Sequence, residues 1–125
     1  MTIPNNLKYA PSHEWALLDP DGSISVGITH HAQDALGDIV FLELPILGQQ
    51  VELNQPIAVI ESVKAASDIH APLAGTITAI NEILINTPED INKSPYSSWL
   101  FKIAPKSPDD YQNLLPSVQY ATLII

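Results

Sequence analysis

The sequence predicts a mostly β protein, a sandwich or barrel of short strands with small helices at its periphery. Three observations predict it. Turn signals recur roughly every eight to twelve residues, the spacing of antiparallel all-β folds. The segments between them are short apolar runs, several of which alternate polar and apolar in the strand period. The 11 prolines and 5 glycines are spread along the whole chain, so no linker or low-complexity tract divides it.

Pro4-Asn5-Asn6 opens a short irregular N-terminus. Asp19-Pro20-Asp21-Gly22 is a strong turn, flanked by Glu14–Leu18 and Ser23–Ile28, which together read as a hairpin. Thr29 is placed to cap a short helix through Leu36, with Gly37 at its stop. Asp38 to Leu44 reads as a buried strand ended by Pro45, and Gly48 marks the next turn. Gln55 to Val63 forms a strand that breaks at Lys64-Ala65-Ala66, and Ser67 to Ala71 runs back until Pro72. Leu73-Ala74-Gly75 is a turn before a strand from Thr76 to Ile80, and Asn86 to Ser98 is a long irregular stretch. A further strand is expected over Trp99 to Ile103. Ser107-Pro108-Asp109-Asp110 then starts a helix: cap, proline at the first helical position, acids on the positive end of the dipole. Leu114 and Leu115 should pack inward, and Ser117 to Leu123 forms another turn or two of helix.

At 125 residues the chain suits one domain, 1–125, whose core needs no disulfide. The composition, 46% hydrophobic and 15% charged, is that of a soluble globular protein. Without cysteine, disulfides and thiolate metal sites are excluded, and any sulfur redox chemistry must come from a cofactor. No apolar run is long enough to span a membrane. Met1 to Leu7 has the features of neither a signal peptide nor a transit peptide, so a cytoplasmic location is expected, or the mitochondrial matrix if a presequence was removed. The formal charge of -9, with all five basic residues lysines, makes nucleic acid and anionic membranes poor partners. It favours a basic protein or a cationic small group.

The informative segment is Glu61-Ser62-Val63-Lys64-Ala65-Ala66-Ser67-Asp68-Ile69-His70-Ala71-Pro72. One strand runs into a lysine with small neighbours and a second strand leaves, which puts Lys64 at the tip of a tight hairpin. A modifying enzyme needs such a protruding amine, held by a rigid turn and clear of bulky side chains. Acylation would convert it to a neutral amide bearing a tethered arm, which keeps an intermediate at high effective concentration for successive active sites. A bare hairpin lysine is far more often simply solvated.

The wider motif decides otherwise. Glu61 to Ala65, E-S-V-K-A, resembles the lipoylation site of glycine cleavage H proteins. Lipoyl domains of acyltransferase complexes place Asp before the lysine, and biotin domains flank it with Met, neither of which fits Val63 and Ala65. Further blocks resemble that family in order: Lys8-Tyr9-Ala10-Pro11-Ser12-His13-Glu14-Trp15; Val26-Gly27-Ile28-Thr29; His31-Ala32-Gln33; Leu36 to Val40; Leu44-Pro45; Ala71-Pro72; Gly75; Asn81-Glu82; Pro88-Glu89; Asn92; Pro95-Tyr96; and Trp99-Leu100. The resemblance implies a barrel-sandwich hybrid of two antiparallel sheets with the lysine-bearing hairpin at one edge, plus short peripheral and C-terminal helices.

It also implies a function. Lipoate on Lys64 would accept an aminomethyl group from a pyridoxal-phosphate-dependent glycine decarboxylase and present it to a folate-dependent aminomethyltransferase. A dihydrolipoyl dehydrogenase would reoxidise the dithiol, and a lipoylating enzyme would install the arm. The carrier itself would be no enzyme, and a monomer suits a hairpin that must visit several partners. By position in the matching motifs, Ser12, Glu14 and Asp68 are candidates to line a cleft that shelters the cationic loaded arm. On the residues alone, Ser12 and Asp68 also fit turn or cap roles, and Glu14 an exposed strand position. Glu61 is assigned to recognition by the lipoylating enzyme, and on the residues alone it also fits a solvated position beside the hairpin. The sequence departs from the family where Asn54 replaces a turn glycine, where Ser97-Ser98 replaces a glycine-containing stretch, and in its apolar tail Leu123-Ile124-Ile125.

Other readings are weaker. His13, His30, His31 and His70 form no zinc or acid-base motif. A purely structural interaction module would tolerate Lys64→Arg. An H-like carrier serving lipoyl relay or storage needs the same lysine, but the flanking blocks favour the glycine system.

Overall fold

The structure, a computed structural model, describes residues 3–124. Ile125, the end of the apolar tail, lies outside the described residues. Strands β1 (Lys8–Tyr9), β2 (Glu14–Leu18) and β3 (Ile24–Ile28) come first. β2 and β3 make the expected hairpin, Leu18 opposite Ile24. Its turn is tied by aspartates: Asp21 accepts from Ser23 N–H at 2.9 Å and Asp19 from the Ser25 hydroxyl at 2.7 Å. Helix α1 (His30–Leu36) follows, its first turn capped by the Thr29 hydroxyl, which accepts from Ala32 N–H at 3.2 Å.

Strand β4 (Ile39–Glu43) differs from the expected buried strand. Ile39 and Leu42 are buried, but Val40 and Phe41 face solvent. The cause is a register shift against β6 (Pro56–Ser62) between Ile39 and Phe41, a bulge that adds one residue and breaks the alternation. After β5 (Gln50–Val51), Asn54 takes φ 69°, the positive value expected of this glycine substitute. β6 returns as β7 (Ala66–His70), and β8 (Gly75–Ile80) crosses to the other sheet.

The stretch expected to be irregular, Asn86 to Ser98, holds one single-turn helix, α3 (Asp90–Lys93), and a second, α2 (Ile83–Asn86), ends on its first residue. Each buries one residue, Leu84 or Ile91, too little for a helical period to show in sequence. β9 (Phe101–Pro105) starts two residues later than expected, and the Trp99 carbonyl before it is bonded by the Asn81 side chain at 2.8 Å. The Ser107 helix is a 3-10 helix, Pro108–Asn113, without a side-chain cap bond. Leu114 is buried as expected, but Leu115 is only half-buried and forms β10 (Leu115–Pro116) against β1. α4 (Ser117–Leu123) closes the chain.

The strands build a seven-stranded sheet, β10-β1-β2-β3-β9-β8-β5, and a three-stranded sheet, β4-β6-β7, with antiparallel pairing throughout. This is the two-sheet, mostly β architecture the sequence predicts. The main core draws on both sheets: Ile24, Val26, Ile28, Phe101 and Ile103 from one, Leu42, Ala58, Ile60 and Ile69 from the other. A second cluster, Leu7, Tyr9, Trp15 and Tyr120, anchors α4, with Tyr9 and Tyr120 stacked at 4.6 Å. Ile124 packs against that cluster and Leu123 is exposed, so the described part of the apolar tail is divided between core and solvent. Trp15 lies so close over Gly27, its partner on β3, that a Cβ there would come within 2.5 Å of the indole.

Candidate functional site

The β6–β7 hairpin turns through Val63, Lys64 and Ala65, and all three are exposed. Ser62 organises the turn. Its N–H donates to the Ala65 carbonyl at 2.7 Å, and its hydroxyl accepts from Lys64 N–H at 3.3 Å and Ala65 N–H at 3.1 Å. The same hydroxyl donates to the Ala65 carbonyl at 3.2 Å. A serine that satisfies turn amides locally is the side-chain turn this residue type favours.

The turn is also fixed from outside. Val63 N–H donates to the Asp38 carbonyl at 3.0 Å. Asp38 stands between α1 and β4, and both of its neighbours are tied to Asn92. The Asn92 amide donates to the Gly37 carbonyl at 2.8 Å and to the Gln33 side chain at 2.9 Å, and its oxygen accepts from Ile39 N–H at 2.9 Å. Gly37 takes φ 81° with ψ -155°, so the helix stops on a positive-φ glycine that then extends. The Lys64 stem crosses this glycine: a Cβ at position 37 would meet Lys64 Cε at 3.3 Å.

Beside the lysine lies a cleft of about 250 Å³. α1 supplies His31, Ala32, Ala35 and Leu36, β7 and its start supply Ser67, Asp68 and Ile69, and the β1–β2 loop supplies Ser12 and His13. Leu36 adjoins Gly37, so the cleft opens next to the Lys64 stem.

Behind its wall is a buried carboxylate. Glu14 is 1% exposed and is not on the lining. It accepts from the Ser12 hydroxyl and, at 2.9 Å, from His70 N–H. The His70 ring approaches to 3.4 Å with Nδ1 out of hydrogen-bond alignment, an ion pair only when the imidazole is protonated. Burial pushes the Glu14 carboxyl above its ordinary value, against the opposing pull of the Ser12 and His70 donors. His13 takes φ 77°, and its Nδ1 meets the Tyr120 hydroxyl at 2.7 Å, which also bonds Thr29 at 2.8 Å. The His13 and His31 rings lie 4.7 Å apart. Burial first, then the neighbouring imidazole, lowers the His13 value. Burial raises the Tyr120 phenol to about 12, so it stays a neutral donor.

The sequence-predicted residues thus occupy one end of the molecule. Lys64 and Glu61 are exposed on the hairpin, Ser12 and Asp68 line the cleft, and Glu14 is off the lining but bonded to Ser12, which is on it. Sequence reasoning gave no role to Ser62, Asn92, His13, His31 or Tyr120. Ser62 carried a readable signal, a hydroxyl residue two before the turn apex. The others carried none, since their partners are distant in the chain.

A rigid hairpin that presents one lysine beside a lined cleft, on a two-sheet scaffold, defines a carrier-type domain. Among the described residues no group of three or more His, Asp or Glu is arranged to hold a metal ion. The comparisons with known proteins agree. A family model described as glycine cleavage H-protein matches residues 7–124. The chain is 53% identical over 122 residues to a glycine cleavage system H protein 2 of Pseudomonas aeruginosa, covering 98% of this chain and 95% of that one. It is 54% identical over 120 residues to a glycine cleavage system H protein of Neisseria meningitidis, covering 95% and 94%. The crystal structure of a glycine cleavage system H protein from Mycobacterium marinum superposes with a TM-score of 0.88 at 36% identity, over 96% of this chain and 97% of that one. The chain belongs to the glycine cleavage H-protein family. Its place is therefore that of the carrier subunit of the glycine cleavage system, which is not itself the catalyst.

Proposed function

We propose that residues 1–125 form one carrier unit whose Lys64 bears a lipoyl group on Nζ. The observation that supports this most is the hairpin: an exposed lysine on a turn locked by Ser62, with only a glycine under its stem. In the acylation, the neutral Lys64 amine attacks the carbonyl carbon of an activated lipoyl donor. The C–N bond forms, the activating group leaves with its bonding electron pair, and the surplus ammonium proton passes to solvent. Lipoate, when attached, supplies a disulfide that carries a one-carbon unit and returns electrons as a dithiol.

The chain's own residues serve that group by position. The cleft between α1 and β7 offers Leu36 and Ile69 to an apolar chain and Ser12, His31 and Asp68 to a polar end. Glu14 behind Ser12 accepts from the Ser12 hydroxyl and so fixes that side chain in the cleft wall. The partners are the pyridoxal-phosphate-dependent glycine decarboxylase, the folate-dependent aminomethyltransferase, dihydrolipoyl dehydrogenase and a lipoylating enzyme, met one at a time by a monomer. Among the described residues no helix is long and apolar enough to cross a membrane. The proposed site of action is the cytoplasm.

Intact mass and peptide mapping of the protein from its native cell test the reading. One lipoyl adduct on Lys64, abolished in Lys64→Arg, is the expected result, because arginine keeps the charge but forms no lipoyl amide. An unmodified Lys64 in cells with active lipoylation overturns it.

A further inference from the structure

We infer that the outer end of the three-stranded sheet is a docking surface for the enzyme that acylates Lys64, an apolar patch with an acidic rim. The inference rests on the lipoyl reading of Lys64. Strand pairing sets Phe41, Glu61 and Ala66 side by side across the outer face, next to the lysine turn. Phe41 is 48% exposed, Val40 56% and Val63 70%. The β4 bulge turns Val40 outward, and the bond from Val63 N–H to the Asp38 carbonyl draws the turn against the start of β4. Phe41 thus stands directly across from Glu61, with Val40 beside it in the bulge and Val63 two residues beyond Glu61 in the turn. β4 is the edge of its sheet, where exposed apolar residues are a hazard that folds usually avoid.

The occupant follows from charge and position. Asp38, Glu43, Glu61 and Asp68 are all exposed here, and no lysine other than Lys64 lies in these strands or their turn. A second copy would bring the same acidic rim against this one, whereas an enzyme with cationic side chains around an apolar centre matches it. The acylating enzyme must carry its reactive carbonyl to Nζ itself, so it necessarily covers Val63 and the adjoining row. Enzymes that act on a finished arm meet its far end and have no such constraint. Glu61 is then one carboxylate within a composite surface, and Phe41 is its apolar anchor.

The test uses the full chain, lipoate, ATP and a purified ATP-dependent lipoate–protein ligase. Acylation of Lys64 is followed by intact mass for wild type, Phe41→Ser and Val63→Ser, with thermal melts confirming the fold. Each variant is expected to lose about tenfold in kcat/KM, almost all through a higher KM, as a truncated interface anchor does. Added salt should raise the wild-type KM, since the rim is charged. Wild-type acylation with both folded variants within twofold overturns the docking surface and leaves the Lys64 reading standing. Failure of wild type to be acylated removes both. A wild-type dimer in sedimentation that Phe41→Ser dissociates, with acylation kinetics unchanged, also overturns the proposal by assigning the face to a second copy.

Discussion

Replacing Ser62 with alanine isolates what holds the lysine turn. The variant keeps the 2.7 Å bond from residue 62 N–H to the Ala65 carbonyl but loses the hydroxyl contacts to Lys64 N–H, Ala65 N–H and the Ala65 carbonyl. Net hydrogen bonds are worth about 0.5–1.5 kcal/mol each. The freed amides lie at exposed positions where water replaces part of the loss, so roughly 1–2 kcal/mol is expected in total. For a domain of this size that lowers Tm by about 4–8 °C. The local consequence is larger than the global one, because the loss falls entirely on the turn. Hydrogen exchange at the Lys64 and Ala65 amides should accelerate, and acylation should slow by about five- to tenfold as the amine is held less rigidly. Ser62→Thr, which keeps the hydroxyl, should restore most of both. If the alanine variant is acylated at the wild-type rate with unchanged exchange at 64 and 65, strand pairing alone holds the turn and this reasoning fails.

Three further outcomes are expected. Gly37→Ala forces a side chain onto φ 81° and toward Lys64 Cε, which should cost about 1–2 kcal/mol in a urea melt; an unchanged midpoint would show that the turn relaxes freely. Burial raises the Glu14 carboxyl, so its contribution to stability is complete below the unfolded value and is lost as pH climbs through the folded one. Carbon NMR should find Glu14 titrating above 4.5, and Glu14→Gln should flatten the stability–pH curve over that interval. His13 is displaced the other way: its contribution is present above 6.5 and lost as pH falls through the lowered folded value. His13→Asn, which tolerates φ 77°, should reduce the stability lost as pH falls below 6.5, and an undiminished loss would place the acid sensitivity elsewhere.

What was legible in the sequence was what local chemistry decides. The Asp19–Gly22 hairpin, the Thr29 cap, the Gly37 stop and the positive φ of Asn54 each follow from residues within a few positions of one another. The exposed face of β4 was not legible, because a bulge against β6 reverses which residues point inward, and a bulge belongs to a pair of strands. The burial of Glu14 was hidden for a similar reason. An acid in a short strand reads as exposed until the backbone N–H of His70 is known to reach it. The lysine turn was visible as a turn, but the Asn92 contacts that position it join three segments and leave no trace at any one of them.

Those contacts explain how one residue is both free and precisely placed. Lys64 needs an uncrowded amine, so its immediate neighbours are small or point away and cannot themselves fix it. The fixing is displaced to the base of the turn: Ser62 closes the loop from within, and Asp38 holds Val63 from outside. Asp38 makes that bond through its carbonyl, so its side chain is irrelevant to it and the position of its backbone is everything. Asn92 sets that position by bonding the residue on either side, Gly37 and Ile39. The rigidity of the lysine therefore draws on α3, distant from the hairpin in sequence but joined to it in space through Gly37, Asp38 and Ile39. Loosening α3 should disturb Lys64 before it disturbs the core that Ile24, Phe101 and Ile103 build between the sheets.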